Sequence, residues 1–278
     1  MFKFTYILLA SVLALPVSAQ TLDRIQQTGE IRLGFRTDAA PLSFADRDGN
    51  PAGYSPLVCV SVAQGIANFL HMENLSVTFH DVDTSNRFDK VANGDIDLLC
   101  GAATITLKRR EKVDFSVPTY VDGTAVMVAK GTQSDLASLA GKKIGVRAGT
   151  TTMGALNTTL EDSNIDADVI VFDDHAAGLA AVESAQITAY FADQAILFFL
   201  LGVSENPANL KVSGEILTIE KQGLAMARGD SDFRLLVDAV LSEMFASGTM
   251  EKIFTTTLPG ASPGAAIRAM YLTSPTVP

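Results

Sequence analysis

Hydrophobic positions along this chain follow two periods in alternation. Residues 31–35, 76–80 and 96–99 read as short strands, and the segments 22–28, 55–69 and 87–92 repeat apolar residues at helical spacing. Gly29 closes the first helix, while Ser55-Pro56 offers an N-cap and a first-turn proline to the second. The rhythm resumes with strands over 124–129, 143–146, 168–172, 188–192 and 223–227 and with helices after Thr150, over 175–184 and over 231–246. In the last of these, Leu235, Leu236, Ala239, Val240, Glu243 and Met244 mark two faces, the apolar one dominant. Such strand–helix–strand repetition predicts an α/β fold with parallel sheets covered by helices. Residues 259–278, rich in Pro, Ala, Ser and Thr, are expected to form a loosely held extension.

Two apolar runs stand outside the rhythm. Residues 1–19 carry one base (Lys3), an apolar stretch, Pro16 and a small-x-small site at Val17-Ser18-Ala19, which reads as an export signal. Its apolar stretch is shorter than the roughly twenty residues a spanning helix needs. Residues 195–203 are shorter still and read as a core helix. The whole chain has a formal net charge of −10, and removing the leader makes it one unit more negative, which disfavours nucleic acid and anionic lipid as partners. Export favours a disulfide between the two cysteines, Cys59 and Cys100, over two buried thiols. The histidines, His71, His80 and His175, have no metal-ligand spacing with them, so no metal or other cofactor is expected.

Candidate chemistry concentrates in residues 93–116, NGDIDLLCGAATITLKRREKVDFS. A strand runs into a loop of small and hydroxylic residues ending at Thr104, and an arginine pair then opens a short helix. Backbone N–H groups, a hydroxyl and the bidentate fork of Arg109 make a natural cradle for a carboxylate. Here the chain resembles the periplasmic solute-binding proteins for polar amino acids (family 3), the soluble receptors of ABC importers. The resemblance runs over residues 22–254 and implies a two-lobed type II periplasmic-binding fold. Each lobe would be a mixed, mainly parallel sheet flanked by helices, and two hinge strands near Val121-Asp122-Gly123 and Lys221-Gln222-Gly223 would join them. It places residues 20–121 and 222–258 in one lobe and 122–221 in the other, with Thr104 and Arg109 on the ligand's α-carboxylate. Glycine at both crossings suits segments that change backbone angles as the lobes close.

In the second half, Ile144-Gly145-Val146-Arg147-Ala148-Gly149-Thr150-Thr151 is a strand, a glycine turn and a helix start, whose free N–H groups attract an anion. Asp193, ending a strand, matches the aspartate with which the family binds the ligand's ammonium; it equally suits capping the next helix. Relatives for glutamine or basic amino acids sandwich the side chain between aromatics, but those positions fall near Ala39, Ala40 and Thr84 here. The chain instead offers Arg36, Arg87 and His175, which resemble the cations that meet the side-chain carboxylate in the glutamate/aspartate-binding branch. Cations facing a pocket are costly to desolvate unless an anion arrives with them. Against those cations stand ordinary pairings, notably Arg36 with Asp38 or Asp46. Ala102 replaces a hydroxylic residue of that branch and leaves only its carbonyl. Arg147 either enlarges the anion site or lies outside it.

Three functional classes follow. The favoured one is a periplasmic receptor, monomeric, that closes over a free polar amino acid, most specifically glutamate or aspartate, and delivers it to a membrane permease; a receptor of broader specificity is its variant. A periplasmic dehydratase resembling this fold would use Asp193, Glu183 or His175 as acid or base, but no nucleophile elbow, zinc spacing or phosphate loop is present. A sensor domain would need a membrane-crossing segment after it, and none is found in this sequence.

Overall fold

A computed structural model describes residues 21–276, so the export-signal reading falls outside the described residues. The elements in chain order begin with α1 (Thr21–Thr28), β1 (Glu30–Arg36), β2 (Asp38–Ala39), β3 (Ser43–Ala45), β4 (Pro51–Ala52), α2 (Tyr54–Phe69), β5 (Ser76–Val82), α3 (Arg87–Ala92), β6 (Leu98–Cys100), α4 (Leu107–Arg110) and β7 (Val113–Phe115). Then come β8 (Tyr120–Asp122), β9 (Thr124–Ala129), β10 (Lys143–Arg147), α5 (Thr151–Asp162), β11 (Asp168–Phe172), α6 (His175–Glu183), β12 (Ala189–Asp193), α7 (Gln194–Val203) and β13 (Leu210–Val212). The chain finishes with β14 (Glu220–Gln222), β15 (Ala225–Ala227), α8 (Ser231–Ala246), α9 (Thr249–Thr257) and α10 (Ala265–Thr273).

Two sheets of one design form two lobes. The first has the order β5-β1-β6-β15-β7 and the second β11-β10-β12-β9-β13. In each, the first three strands are parallel and the remaining pairings antiparallel. β15 follows the whole second sheet in sequence yet pairs with β6 and β7, so the chain returns to where it began. Between the sheets β8 and β14 pair antiparallel as two joining strands. This type II arrangement sets the C-terminal ends of β1, β6, β10 and β12 around one cleft, where open α/β sheets present ligand contacts.

Cys59 in the buried face of α2 and Cys100 at the end of β6 form a disulfide. Closing a loop across 41 positions contributes about 3–4 kcal/mol in the chain-entropy account. It ties the cover helix to the strand that leads into the cleft.

Several local readings need correction. α2 starts at Tyr54, with Gly53 at its N-cap, because Gly53 is wedged against the carbonyls of Pro41 and Leu42 at φ 109°; Ser55 lies inside the first turn. The arginine pair closes α4 rather than opening it, Thr106 being the N-cap. β6 begins at Leu98, since Ile96 serves the core below it, where it meets Gly34. Leu235 is 69% exposed, so the apolar face of α8 is made instead by Phe233, Leu236, Val237, Leu241 and Met244. The Pro/Ala-rich tail forms α10, which buries Ile267 and Met270 and packs on β8, with Tyr271 against Phe245. Gly123 owes its place to crowding: a Cβ there would lie 2.1 Å from the Thr218 carbonyl oxygen. Among the described residues no helix is long and apolar enough to cross a membrane.

Candidate functional site

The cleft is a narrow space walled by side chains from both lobes. Arg36, Arg87, Ala102, Thr104, Arg109, Thr150, Thr151, His175 and Asp193 all line it, together with Arg147. Thr84 and Gly149 do not; they meet at its edge, where a Cβ on Gly149 would fall 3.0 Å from the Thr84 Cβ.

The first lobe supplies three guanidiniums. Arg36 ends β1 and is buried, its Nε and Nη2 donating to Asp38 at 2.8 and 2.6 Å. Arg87 opens α3, held there by an Asx turn in which Asp83 accepts from the backbone N–H groups of Ser85 and Asn86. It is 1% exposed, its Nη1 donates to the Ala102 carbonyl at 3.1 Å, and its Nε has no partner among the described residues. Burial, with Arg36 and Arg109 nearby, drives its pKa well below the usual guanidinium value. Arg109 donates to the Thr104 carbonyl at 2.8 Å. The guanidinium carbons of Arg87 and Arg109 stand 4.9 and 5.0 Å from the centroid of Phe88, whose ring face partly offsets their mutual repulsion.

The second lobe adds the start of α5. Thr150 caps it, accepting from the Met153 N–H at 3.2 Å, so the first-turn N–H groups face the cleft beside Thr151 and Thr152. His175 is buried at the start of α6 with Nδ1 2.9 Å from the Tyr190 hydroxyl. Burial, and then Arg36, lower its pKa to about 3, so the ring is neutral near pH 7, not the cation expected. One hydrogen is shared between Nδ1 and the Tyr190 hydroxyl; in the tautomer in which the hydroxyl donates it, Nε2 carries the ring proton, and that buried atom has no partner among the described residues.

Asp193 occupies the N-cap position of α7 without capping it; its carboxylate turns instead to accept from Gln222 Nε2 at 2.8 Å. Burial, reinforced by the nearby Glu220, raises its pKa to about 6. Glu220, on a joining strand, takes hydroxyl bonds from Thr104 and Thr151, both at 2.6 Å, and from Thr218 and Thr124 at 3.0 and 3.2 Å. Glu220 and Phe88 were not anticipated from the sequence, Gln222 was expected only as part of a hinge strand, and the pairing of Arg36 with Asp38 is the ordinary one that the sequence offered. Phe88 adjoins Arg87 and Asp38 lies two positions from Arg36, so both had a local signal, whereas Glu220 and Gln222 reach the cleft through long-range strand pairing.

The arrangement holds a cation-rich, largely buried cavity with hydroxyl and backbone donors on both walls and one ionisable acid facing them. Among the described residues no group of three or more metal-ligating side chains is present. The model of the bacterial extracellular solute-binding proteins, family 3, matches residues 31–258. The L-glutamate/L-aspartate-binding protein of Pseudomonas aeruginosa is 30% identical over 253 residues, covering 89% of this chain and 84% of that one. The glutamate/aspartate import solute-binding protein of Escherichia coli is 28% identical, covering 87% and 80%. Among solved structures, an ancestral arginine-binding protein bound to arginine superposes with a TM-score of 0.74 at 27% identity, covering 83% of this chain and 98% of that one. The chain belongs to the bacterial extracellular solute-binding proteins, family 3.

Proposed function

We propose that this family 3 solute-binding protein is a periplasmic receptor for a free acidic L-amino acid, glutamate or aspartate, which it delivers to the permease of an ABC importer. The lobes would be residues 20–121 with 222–258, and 122–221, moving about β8 and β14. Arg109, Thr104 and the start of α5 take the α-carboxylate, and Asp193 takes the ammonium. Arg87 and His175 take the side-chain carboxylate. Residues 1–19 would direct export.

One observation carries the choice of an acidic ligand. Among the described residues no carboxylate contacts the buried Arg87 and its Nε has no partner, Asp193 and Asp38 acting on it only from a distance. An isolated buried guanidinium is destabilising by several kcal/mol unless an anion compensates it, so the ligand is the natural source of that anion. The glutamate/aspartate-binding names of two relatives support the same choice.

A thermal-shift screen of the twenty amino acids and small dicarboxylates tests the reading, since a ligand that binds only the folded form raises the melting point by mass action. Aspartate or glutamate should give the largest shift. A larger shift from arginine, histidine or glutamine would reject the assignment.

A further inference from the structure

Arg147 ends β10 in the second lobe, yet the first lobe holds its guanidinium. Nε donates to Asp38 Oδ2 at 2.7 Å and Nη1 to Thr84 Oγ1 at 2.9 Å. The other oxygen of Asp38 accepts the Nε and Nη2 of Arg36. One carboxylate thus joins two guanidiniums that both line the cleft, one from each lobe. Their side chains are 2% and 7% exposed, and that of Asp38 is 17% exposed. Immediately beside this bridge lies the close approach of Gly149 to Thr84.

We propose that Asp38 and Arg147 are positioning residues that form a clasp across the cleft mouth. Resting on the two-lobed receptor reading but not on which amino acid binds, the clasp stabilises the closed form and fixes Arg36 in the cleft wall. The Asp38–Arg147 bond exists only while the lobes touch. Parting them returns both groups to water, where a single ion pair contributes little, so its free energy belongs to closure. Inside the closed cleft the pair is shielded from salt and made of charge-assisted bonds. Two guanidiniums on one carboxylate also leave a positive charge facing the cavity, so a ligand carboxylate arriving there favours the clasp.

The test uses the full exported chain, with Arg147→Met, Asp38→Asn and the double variant. Calorimetry and stopped-flow dissociation are measured for acidic and amide amino acids that bind, and small-angle scattering for the ligand-free protein. Each single variant should weaken every ligand by a common factor of about tenfold or more, through faster dissociation. The double variant should lose no more than the worse single, and Arg147→Lys should recover part of the loss. Ligand-free Arg147→Met should show a larger radius of gyration than the unaltered protein. A loss confined to acidic ligands, which would make Arg147 a side-chain reader, overturns the clasp, as do additive losses or an unchanged radius. Absence of binding by any amino acid counts against the receptor reading alone, and the scattering comparison then decides the clasp.

Discussion

Replacing Arg87 by methionine should make the empty protein more stable and the receptor worse. The substitution keeps an unbranched apolar stem of similar reach and removes a guanidinium that is 1% exposed. What is lost is one charged hydrogen bond to the Ala102 carbonyl and one contact over Phe88. Together these are worth about 2–4 kcal/mol. What is relieved is the burial of a cation with no carboxylate on it and repulsion from Arg36 and Arg109, a cost of several kcal/mol. The balance predicts a gain of about 1–2 kcal/mol, a rise in melting temperature of roughly 2–8 °C for a chain of this size. Binding moves the other way. Losing the partner of a buried ligand carboxylate costs about 2–4 kcal/mol, or roughly 30- to 1000-fold for glutamate and aspartate. Glutamine and asparagine, with no side-chain charge, should change by less than about fivefold. Calorimetry with the four amino acids and melting of the ligand-free protein measure both halves. A lowered melting point accompanied by equal loss for all four would mean that Arg87 is a strut of α3 and not a reader of side chains.

Arg109→Ala should lower the affinity for every amino acid by more than about 100-fold while the far-ultraviolet spectrum stays unchanged; near-normal titration calorimetry would remove Arg109 from the carboxylate role. Affinity should fall about tenfold per pH unit below pH 6, because the raised pKa of Asp193 leaves it protonated there and unable to take an ammonium, and Asp193→Asn should flatten the profile. The linked stability has the opposite sign. Between about 6 and the ordinary carboxylate range the folded form keeps a proton that the unfolded chain releases, so Asp193 stabilises the empty protein as pH falls through that window. A constant Kd from pH 7 to 5 would contradict both. Gly149→Ala should weaken all ligands alike, since φ is 67° and the added Cβ meets Thr84 in the closed cleft; a selective loss would point to direct ligand contact instead. Replacing both Cys59 and Cys100 by serine should lower stability by about 3 kcal/mol or more in denaturant melts without altering ligand preference.

Much of the scaffold was legible because its signals are local. α3 and α8 were read at their observed bounds from helical spacing, and β1, β9 and β11 within a residue at each end from apolar runs. Arg87, Thr104, Arg109, Thr150, His175 and Asp193 were found because they sit where a strand gives way to a loop or helix, the positions that open sheets turn toward a ligand. Partner choice was less accessible, because it depends on which distant segments the two sheets bring together. Thr104 and Glu220 are 116 positions apart, and Arg147 and Asp38 are 109 apart. The charge state of His175 in acid was hidden for a related reason: folding buries the ring, with Arg36 nearby, and so keeps it neutral well below the pH at which a free imidazole gains its proton.

These long-range partners alter the charge that the cleft must compensate. Read as residues in a line, it holds four arginines and a histidine against a single aspartate, which would call for a strongly anionic ligand. In the folded protein the histidine is neutral, Asp38 is shared by two of the arginines, and Glu220 stands beside Asp193. Burial and then the neighbouring Asp193 push the carboxyl of Asp122 well above the usual range, toward the protonated form, and the count is taken without it. Four guanidiniums against three carboxylates leave one positive charge. A neutral zwitterion does not neutralise it, and a free dicarboxylate both overshoots it and lacks an ammonium for Asp193. An amino acid with one carboxylate on its side chain carries the matching net charge of minus one and a group for each wall. The same electrostatic balance that stabilises the closed cleft therefore favours glutamate or aspartate over both simpler alternatives.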